Sequence, residues 1–315
     1  MVTSGRDLAR LARALGSLAA SDQPLGALTT YRVGGPAALL AEPATDEELA
    51  AVAHATAGSG VPLLVVGRGS NLLVADHGFA GLAVRLSGRF EDVELTGTTV
   101  RAGGAVALPV LARRSAAAGL SGLEWAVGVP GSVGGAVRMN AGGHGSDTAA
   151  TLTSYRWVDL TTGTFHEAPA AALGASYRST TVATTHVVTE AVHVLVEGDP
   201  TTAAEAIAEI VRWRRAHQPG GANAGSVFTN PPERPAGALV EEAGLKGFRI
   251  GTAAVSTKHA NFVQADDGGT AADVLAVIEH VRDAVLRLTG VSLRTELVLV
   301  GFDRERGAGG RGPGT

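Results

Sequence analysis

Residues 128–147 read GVPGSVGGAVRMNAGGHGSD, with four glycines between Gly128 and Gly135, an apolar setting, and a change to polar composition at Asn140. Glycine has no Cβ to hold another group away and reaches positive φ cheaply, so successive N–H groups in such a run can converge on an anion such as a pyrophosphate. The alternative is a flexible low-complexity loop, but the flanks LEWAVGV and GAVRM are apolar, which a solvated linker is not. The run lacks the Gly-Lys-Ser/Thr of a P-loop and the G-x-G-x-x-G dinucleotide fingerprint. It points to phosphate contact outside the standard nucleotide folds.

Upstream, VPLLVV followed by Gly67-Arg68-Gly69-Ser70-Asn71 reads as a buried strand running into a tight turn, where backbone amides emerge at a strand end. A plain β-turn explains that stretch equally well. Two such loops in one half of the chain suit a dinucleotide with two phosphates.

Around these loops the periodicity predicts an α+β organisation. MVTSGRDLARLARALGSLAA carries Leu8, Leu11, Leu15 and Leu18 as a helical stripe, with none of the long apolar core of a signal peptide. Residues 28–42 read as strand, glycine turn, strand, and ATDEELAAVAHATAGSG as a capped helix with an acidic first turn. A β-ribbon over about residues 91–106, a helix over 108–118 and alternating antiparallel strands after Ala150 follow. Beyond residues 198–200 come two helices, TTAAEAIAEIVRWRRAH and TAADVLAVIEHVRDAVLRLTG, and a closing strand VSLRTELVLVGF. The expected division is an N-terminal helix in residues 1–25, units at 26–89 and 90–198, a C-terminal unit at 199–303, and a disordered Gly/Arg/Pro tail at 304–315.

Composition narrows the function. The 315 residues are long enough for two or three domains, and a net charge of −4 with 18% charged residues offers no electrostatic attraction to nucleic acid or acidic membranes. The absence of cysteine removes disulfides, thiolate nucleophiles and cysteine metal sites, so redox work needs a bound organic cofactor. The nine histidines make no H-x-x-x-H pair, and no catalytic metal is expected. No window reaches the roughly 18 uncharged apolar residues that span a bilayer, so a cytoplasmic protein is expected.

Three residues stand out for chemistry. Ser226, in NAGSVFTNPP, lacks a G-x-S-x-G elbow; it is a backbone-capping turn serine or a proton donor to a developing carbanion. Glu296 interrupts an apolar run and is a salt-bridge partner of Arg294, which spacing favours, or an active-site acid. Arg178, in GASYRSTTV, offers a fork for a carboxylate or makes a surface ion pair.

Read in order, TTYRVGGPA, VVGRGSNLLVADHGFAG, GLSGLEWAVGVPGSVGGAVRMNAGGHGSD, SYRST, RRAHQP, NAGSVFTNP, LVEEAGLKG, VSTKHANFV and LRTELVLVG resemble the UDP-N-acetylenolpyruvoylglucosamine reductase family over about residues 29–302. The resemblance implies an FAD-binding fold of the vanillyl-alcohol-oxidase (PCMH) type, in which 26–89 and 90–198 are its two subdomains and 199–303 is an α+β substrate domain. It implies FAD, NADPH, and UDP-N-acetylglucosamine enolpyruvate as substrate, with a monomer or weak oligomer expected. The flavin diphosphate falls on Gly67, Gly69, Ser70 and Asn71, and on Gly128, Pro130, Gly131, Ser132, Gly134, Gly135, Asn140 and Gly142. By motif position Arg178 and Glu296 polarise the substrate carboxylate and stabilise an enolate, while Ser226 donates a proton to the carbon beside the one that receives hydride. Asn230 and Lys246 match substrate-binding positions, the lysine near the diphosphate.

The chain departs from the family at Thr229 and His217, where lysine is frequent, and at Val182, where phenylalanine is usual. Only 47 residues separate Arg178 from Ser226, too few for the tyrosine-bearing loop of the longer enzymes, so the shorter subtype is implied. The alternatives are another flavin oxidoreductase on the same scaffold, and a nucleotide-sugar-binding paralogue without turnover.

Overall fold

A computed structural model describes residues 5–302; the expected tail at 304–315 and the first four residues lie outside them. Helix α1 (Gly5–Leu15) buries Leu11 and Leu15, as its leucine stripe predicts. It stops at Gly16, whose φ of +53° is cheap only for glycine, and residues 19–23, expected inside the N-terminal helix of residues 1–25, form an edge strand instead. That strand pairs antiparallel with Ala37–Ala41, and the first sheet continues with Phe79–Val84 and Leu63–Val65, both parallel. Helix α2 (Asp46–Thr56) makes the crossover. The Thr45 hydroxyl accepts the Glu48 N–H at 3.2 Å and the Glu48 carboxylate accepts the Ala44 N–H at 2.7 Å, which fixes its start.

One further expectation fails in this part. Residues 29–35 form no strand, because Tyr31 and Val33 leave the first sheet to fill the core beneath the C-terminal helices. The apolar run Leu72–Val74 stands outside that sheet and pairs parallel with Val298–Val300 from the far end of the chain.

The second sheet is antiparallel throughout, in the order Thr164–Pro169, Leu152–Asp159, His186–Val194, Thr99–Gly103 and Val93–Thr96. Helices α3 (Leu108–Ala117) and α4 (Val133–Met139) cover it. The glycine segment thus contains a short helix where sequence suggested only loop. Its N-cap is Ser132, whose Oγ accepts the Gly135 N–H at 3.3 Å. Helix α5 (Pro200–His217) starts where composition shifts, with Asp199 as its cap, yet its Ala203 and Ile207 pack into this second core.

The remaining core is built by α6 (Ala236–Glu242), α7 (Ala271–Thr289) and a three-stranded antiparallel sheet of Arg249–Ile250, Ala253–Val255 and Val263–Ala265. Asp76, from the first unit, accepts the N–H groups of Ala271 and Ala272 at 2.7 and 3.0 Å and so caps α7 from outside. Among the described residues no helix is long and apolar enough to cross a membrane.

Candidate active site

A cleft of about 950 Å³ runs between the two glycine loops and the C-terminal unit, at the upper end of the range for ligand sites. The turn at 67–71 forms one wall, with Gly67, Gly69, Ser70 and Asn71 all facing the cleft. Gly69 takes φ +62°, and a Cβ there would lie 2.3 Å from the Leu28 carbonyl, so only glycine fits. Gly128, Pro130, Gly131, Ser132, Gly134, Gly135 and Gly142 form the facing wall.

The N–H groups of residues 67–71, and those of Gly131 and Ser132, donate to no protein acceptor among the described residues. Backbone donors left in this way at a cavity wall require water or a ligand. Gly131 and Gly135 meet nothing closer than 3.6 and 3.5 Å where a Cβ would stand, so their missing side chains leave cleft rather than protein contact. Donors and space together fit a bound diphosphate.

Not every expected glycine serves that end. The Gly134 N–H is already given to the Gly104 carbonyl at 2.8 Å, and a Cβ on Gly134 would sit 3.0 Å from the Val188 carbonyl, so this glycine exists for close packing of α4 on the sheet. The Gly135 N–H is likewise taken, by Ser132. Asn140 does not face the main cleft. It is buried, ends α4 at φ +41°, and its Nδ2 donates to the Asp147 carboxylate at 3.0 Å and the Ser176 carbonyl at 3.2 Å. It therefore holds the loop that carries Arg178. Asn71 has a similar second duty: its Nδ2 donates to the Glu296 carbonyl at 3.0 Å.

The structure brings Arg178, Ser226 and Glu296 to the same cleft. Arg178 sits at the tip of a tight loop closed by paired backbone bonds between Ser176 and Ser179, and holds φ +56°. Its Nη2 donates to the Gly142 carbonyl at 2.8 Å, and its Nε lies 3.1 Å from Glu296 Oε1. The expected pairing of Glu296 with Arg294 is therefore wrong. The strand begins only at Val298, and the segment before it is extended chain that pairs with residues 227–229. The Glu296 N–H donates to the Val227 carbonyl at 2.8 Å, which sets Ser226 and Glu296 on adjacent strands of backbone. Buried Asn261 clamps the same segment, donating to the Phe228 carbonyl at 2.8 Å and accepting the Phe228 N–H at 3.0 Å.

Burial pushes the Glu296 carboxyl above the ordinary carboxylate range, and the Arg178 charge opposes that shift. Asn230 faces the cleft while its Oδ1 accepts the Ala236 N–H at 3.0 Å. Lys246 does not face it; its ammonium pairs with Glu241 at 2.7 Å on the protein surface.

Sequence reasoning missed Arg138, Arg214, His144 and Trp213, all of which face the cleft. Arg138 was visible in the glycine segment itself, three residues after Gly135, as a lone charge in an apolar helix. Trp213 stacks on His217 at 4.7 Å and meets His144 edge-on at 5.1 Å, so the histidine standing where lysine is frequent packs against an aromatic neighbour.

Residues 217–300 match the profile of the UDP-N-acetylenolpyruvoylglucosamine reductase C-terminal domain, and residues 37–168 that of an FAD binding domain. UDP-N-acetylenolpyruvoylglucosamine reductase 2 of Symbiobacterium thermophilum is 41% identical over 302 residues, which cover 95% of this chain and 94% of that protein. The reductase of Heliobacterium modesticaldum is 43% identical over 284 residues, 89% of this chain and 90% of its own. Among solved structures, the UDP-N-acetylenolpyruvylglucosamine reductase of Thermus caldophilus superposes with a TM-score of 0.77 at 36% identity, covering 88% of this chain and 97% of that one.

Proposed function

The chain belongs to the UDP-N-acetylenolpyruvoylglucosamine reductase family, and from that premise we propose which of its residues carry the reaction. It is an FAD- and NADPH-dependent oxidoreductase that reduces UDP-N-acetylglucosamine enolpyruvate to UDP-N-acetylmuramate for peptidoglycan. When bound, the flavin supplies the hydride relay between NADPH and the enolpyruvyl group.

The free amides of residues 67–71 and of Gly131 and Ser132 hold the diphosphate of the cofactor. Seven N–H groups without a protein acceptor, all on residues that line one cleft, support this reading. Gly69 is required for the turn that aims the first five, and Gly134 for seating α4 so that the last two face it.

At the other end, Arg178 receives the substrate carboxylate. Its planar fork matches a carboxylate, and the loop bonds at Ser176, Ser179 and Gly142 hold it before substrate arrives. A carboxylate entering here competes with Glu296 for the guanidinium. Burial then acts on Glu296 with less opposition, so its carboxyl takes up a proton and donates a hydrogen bond to the oxyanion that develops as hydride arrives at the methylene carbon. Ser226 gives its hydroxyl proton to the adjacent carbon, and the extended pairing with residues 294–296 fixes its distance from Glu296. Asn230 contacts the nucleotide-sugar, and Lys246 acts on its diphosphate only if its surface pair with Glu241 opens. The same reading takes residues 26–89 and 90–198 as the cofactor-binding units and 199–303 as the substrate unit, in a cytoplasmic monomer or weak oligomer.

The convergence of Arg178, Ser226 and Glu296 on the cleft that holds the free amides is the observation that carries this reading. Stopped-flow absorbance tests it. The purified protein is yellow, NADPH bleaches it, and the enolpyruvyl nucleotide restores the colour. In Ser226→Ala the bleaching rate is kept and the return of colour slows by at least 10²-fold. A return at the wild-type rate would remove Ser226 from the reaction, and a colourless protein that refuses added FAD would remove the reading as a whole.

A further inference from the structure

Arg138 is a half-buried cation on the cleft wall for which no counter-ion is found among the described residues. Its Nε is shut off from solvent and has no hydrogen-bond partner, and its Nη1 has only the Met139 sulfur, a weak acceptor, at 3.5 Å. No carboxylate of the described residues pairs with it, whereas Arg178 in the same cleft has Glu296. Burial lowers the affinity of this guanidinium for its proton, but an arginine stays charged. Taking part of the water from a charge that has no counter-charge is unfavourable, and such a charge persists where a ligand supplies one.

Position selects which ligand group that is. Arg138 lies three residues beyond Gly135 on α4, so both share the face turned to the cleft. The free amides of Gly131 and Ser132 stand at the start of α4, and six residues of helix carry Arg138 about 9 Å further on. A ribityl chain separates the flavin ring from its diphosphate, so a cofactor whose diphosphate sat at Gly131 and Ser132 and whose chain followed α4 would present its ring, not its phosphates, to Arg138. The Thr180 hydroxyl donates to the Arg138 carbonyl at 2.6 Å, which ties this end of α4 to the loop of Arg178, where the reaction is placed.

We propose that Arg138 is the residue that offsets the negative charge of the flavin ring once it has accepted hydride. Hydride from NADPH brings two electrons and one proton and leaves NADP⁺; the ring is then an anion until it takes up a second proton. A fixed guanidinium favours that anion over the neutral oxidised ring, and so raises the reduction potential. This rests on the flavoprotein assignment above and adds a residue that the reaction as derived does not use.

The test is the midpoint potential of nucleotide-free holoenzyme, measured against reference dyes. Arg138→Gln and Arg138→Met are expected to shift the reduced-to-oxidised ratio at least tenfold toward oxidised, about 30 mV lower for a two-electron couple. In both, the pH at which the reduced flavin takes up its second proton should rise. Arg138→Lys restores most of the potential. An unchanged potential in the neutral variants overturns the proposal. So does a raised KM for the enolpyruvyl nucleotide at unchanged potential, which would assign Arg138 to the substrate, or loss of oxidised FAD from both neutral variants, which would assign it to cofactor retention. If wild-type protein itself holds no FAD, the flavoprotein reading fails instead, and the two failures are distinct.

Discussion

The Arg178 guanidinium stands 3.1 Å from the Glu296 carboxylate, Nε to Oε1, with the two side chains 23% and 19% exposed. One residue sits on a loop between two strands of the second sheet and the other just ahead of the last strand of the chain. The pair joins the cofactor-binding half to the C-terminal unit at the point where chemistry is proposed. Under the proposed function the pair is also a reserve: substrate would displace one partner from the other, and each would then be free to act.

Replacing Glu296 by glutamine tests that reserve. The expected outcome is a 10²–10³-fold slower reoxidation by the enolpyruvyl nucleotide with flavin reduction by NADPH retained, read by stopped flow. Because burial holds the Glu296 carboxyl above the ordinary range, wild-type reoxidation should fall as pH rises through that raised value, and the glutamine variant should lose this limb. A variant with normal turnover would return Glu296 to a structural ion pair.

Neighbouring glycines of α4 should behave differently. An alanine Cβ at Gly134 meets the Val188 and Gly104 carbonyls at 3.0 and 3.1 Å, so Gly134→Ala should destabilise the fold by about 1–3 kcal/mol in a denaturant melt. At Gly135 the nearest atom is 3.5 Å away and the helix gains from alanine, so stability should hold within about 0.5 kcal/mol. FAD affinity should drop there instead, because the added methyl enters the cleft. Equal FAD binding by Gly135→Ala and wild type would remove this wall from the cofactor site.

Asp76→Ala removes the carboxylate that accepts both first N–H groups of α7. Bonds to a charged acceptor contribute about 1.5–3 kcal/mol each, partly recovered by water once exposed, so a loss of about 2 kcal/mol is expected. Asp76→Asn should recover part of it. An unchanged melting temperature would show that α7 is held by its apolar face alone.

His193 predicts the acid limb of stability. It is buried on the second sheet, its Nδ1 lies 2.9 Å from the Thr151 hydroxyl, and burial pushes its pKa down to about 4. The folded state therefore keeps it neutral while the unfolded chain protonates it near pH 6.5, so the unfolded state binds more protons between those values. Stability should fall as pH drops from about 6.5 to 4, by about 3 kcal/mol at most from this residue. Chemical denaturation at pH 7 and 5 checks the sign, and His193→Asn should flatten the difference.

Much of this was legible in the chain itself. The leucine stripe of α1, the Thr45 and Asp199 caps and the alternation of the second sheet follow from local periodicity, because a helix or strand must bury the face its own sequence makes apolar. Nine ordered motifs were enough to indicate the family. Pairing over long distance was not legible. Spacing put Glu296 beside Arg294, since two residues on one strand share a face, and no local pattern reports that the strand begins later and that a loop from another sheet brings Arg178 to it.

Sequence by itself determined which backbone could approach a ligand, since Gly67, Gly69 and Gly131 carry that property wherever the fold puts them. Only the tertiary structure decided which of those amides stay free, that Gly134 serves packing, that Asn140 and Asn71 brace the active residues, and that Arg138 is left without a counter-charge. The reason is physical: a residue type sets what a group can bond to, but whether it is already bonded depends on partners that arrive from elsewhere in the chain.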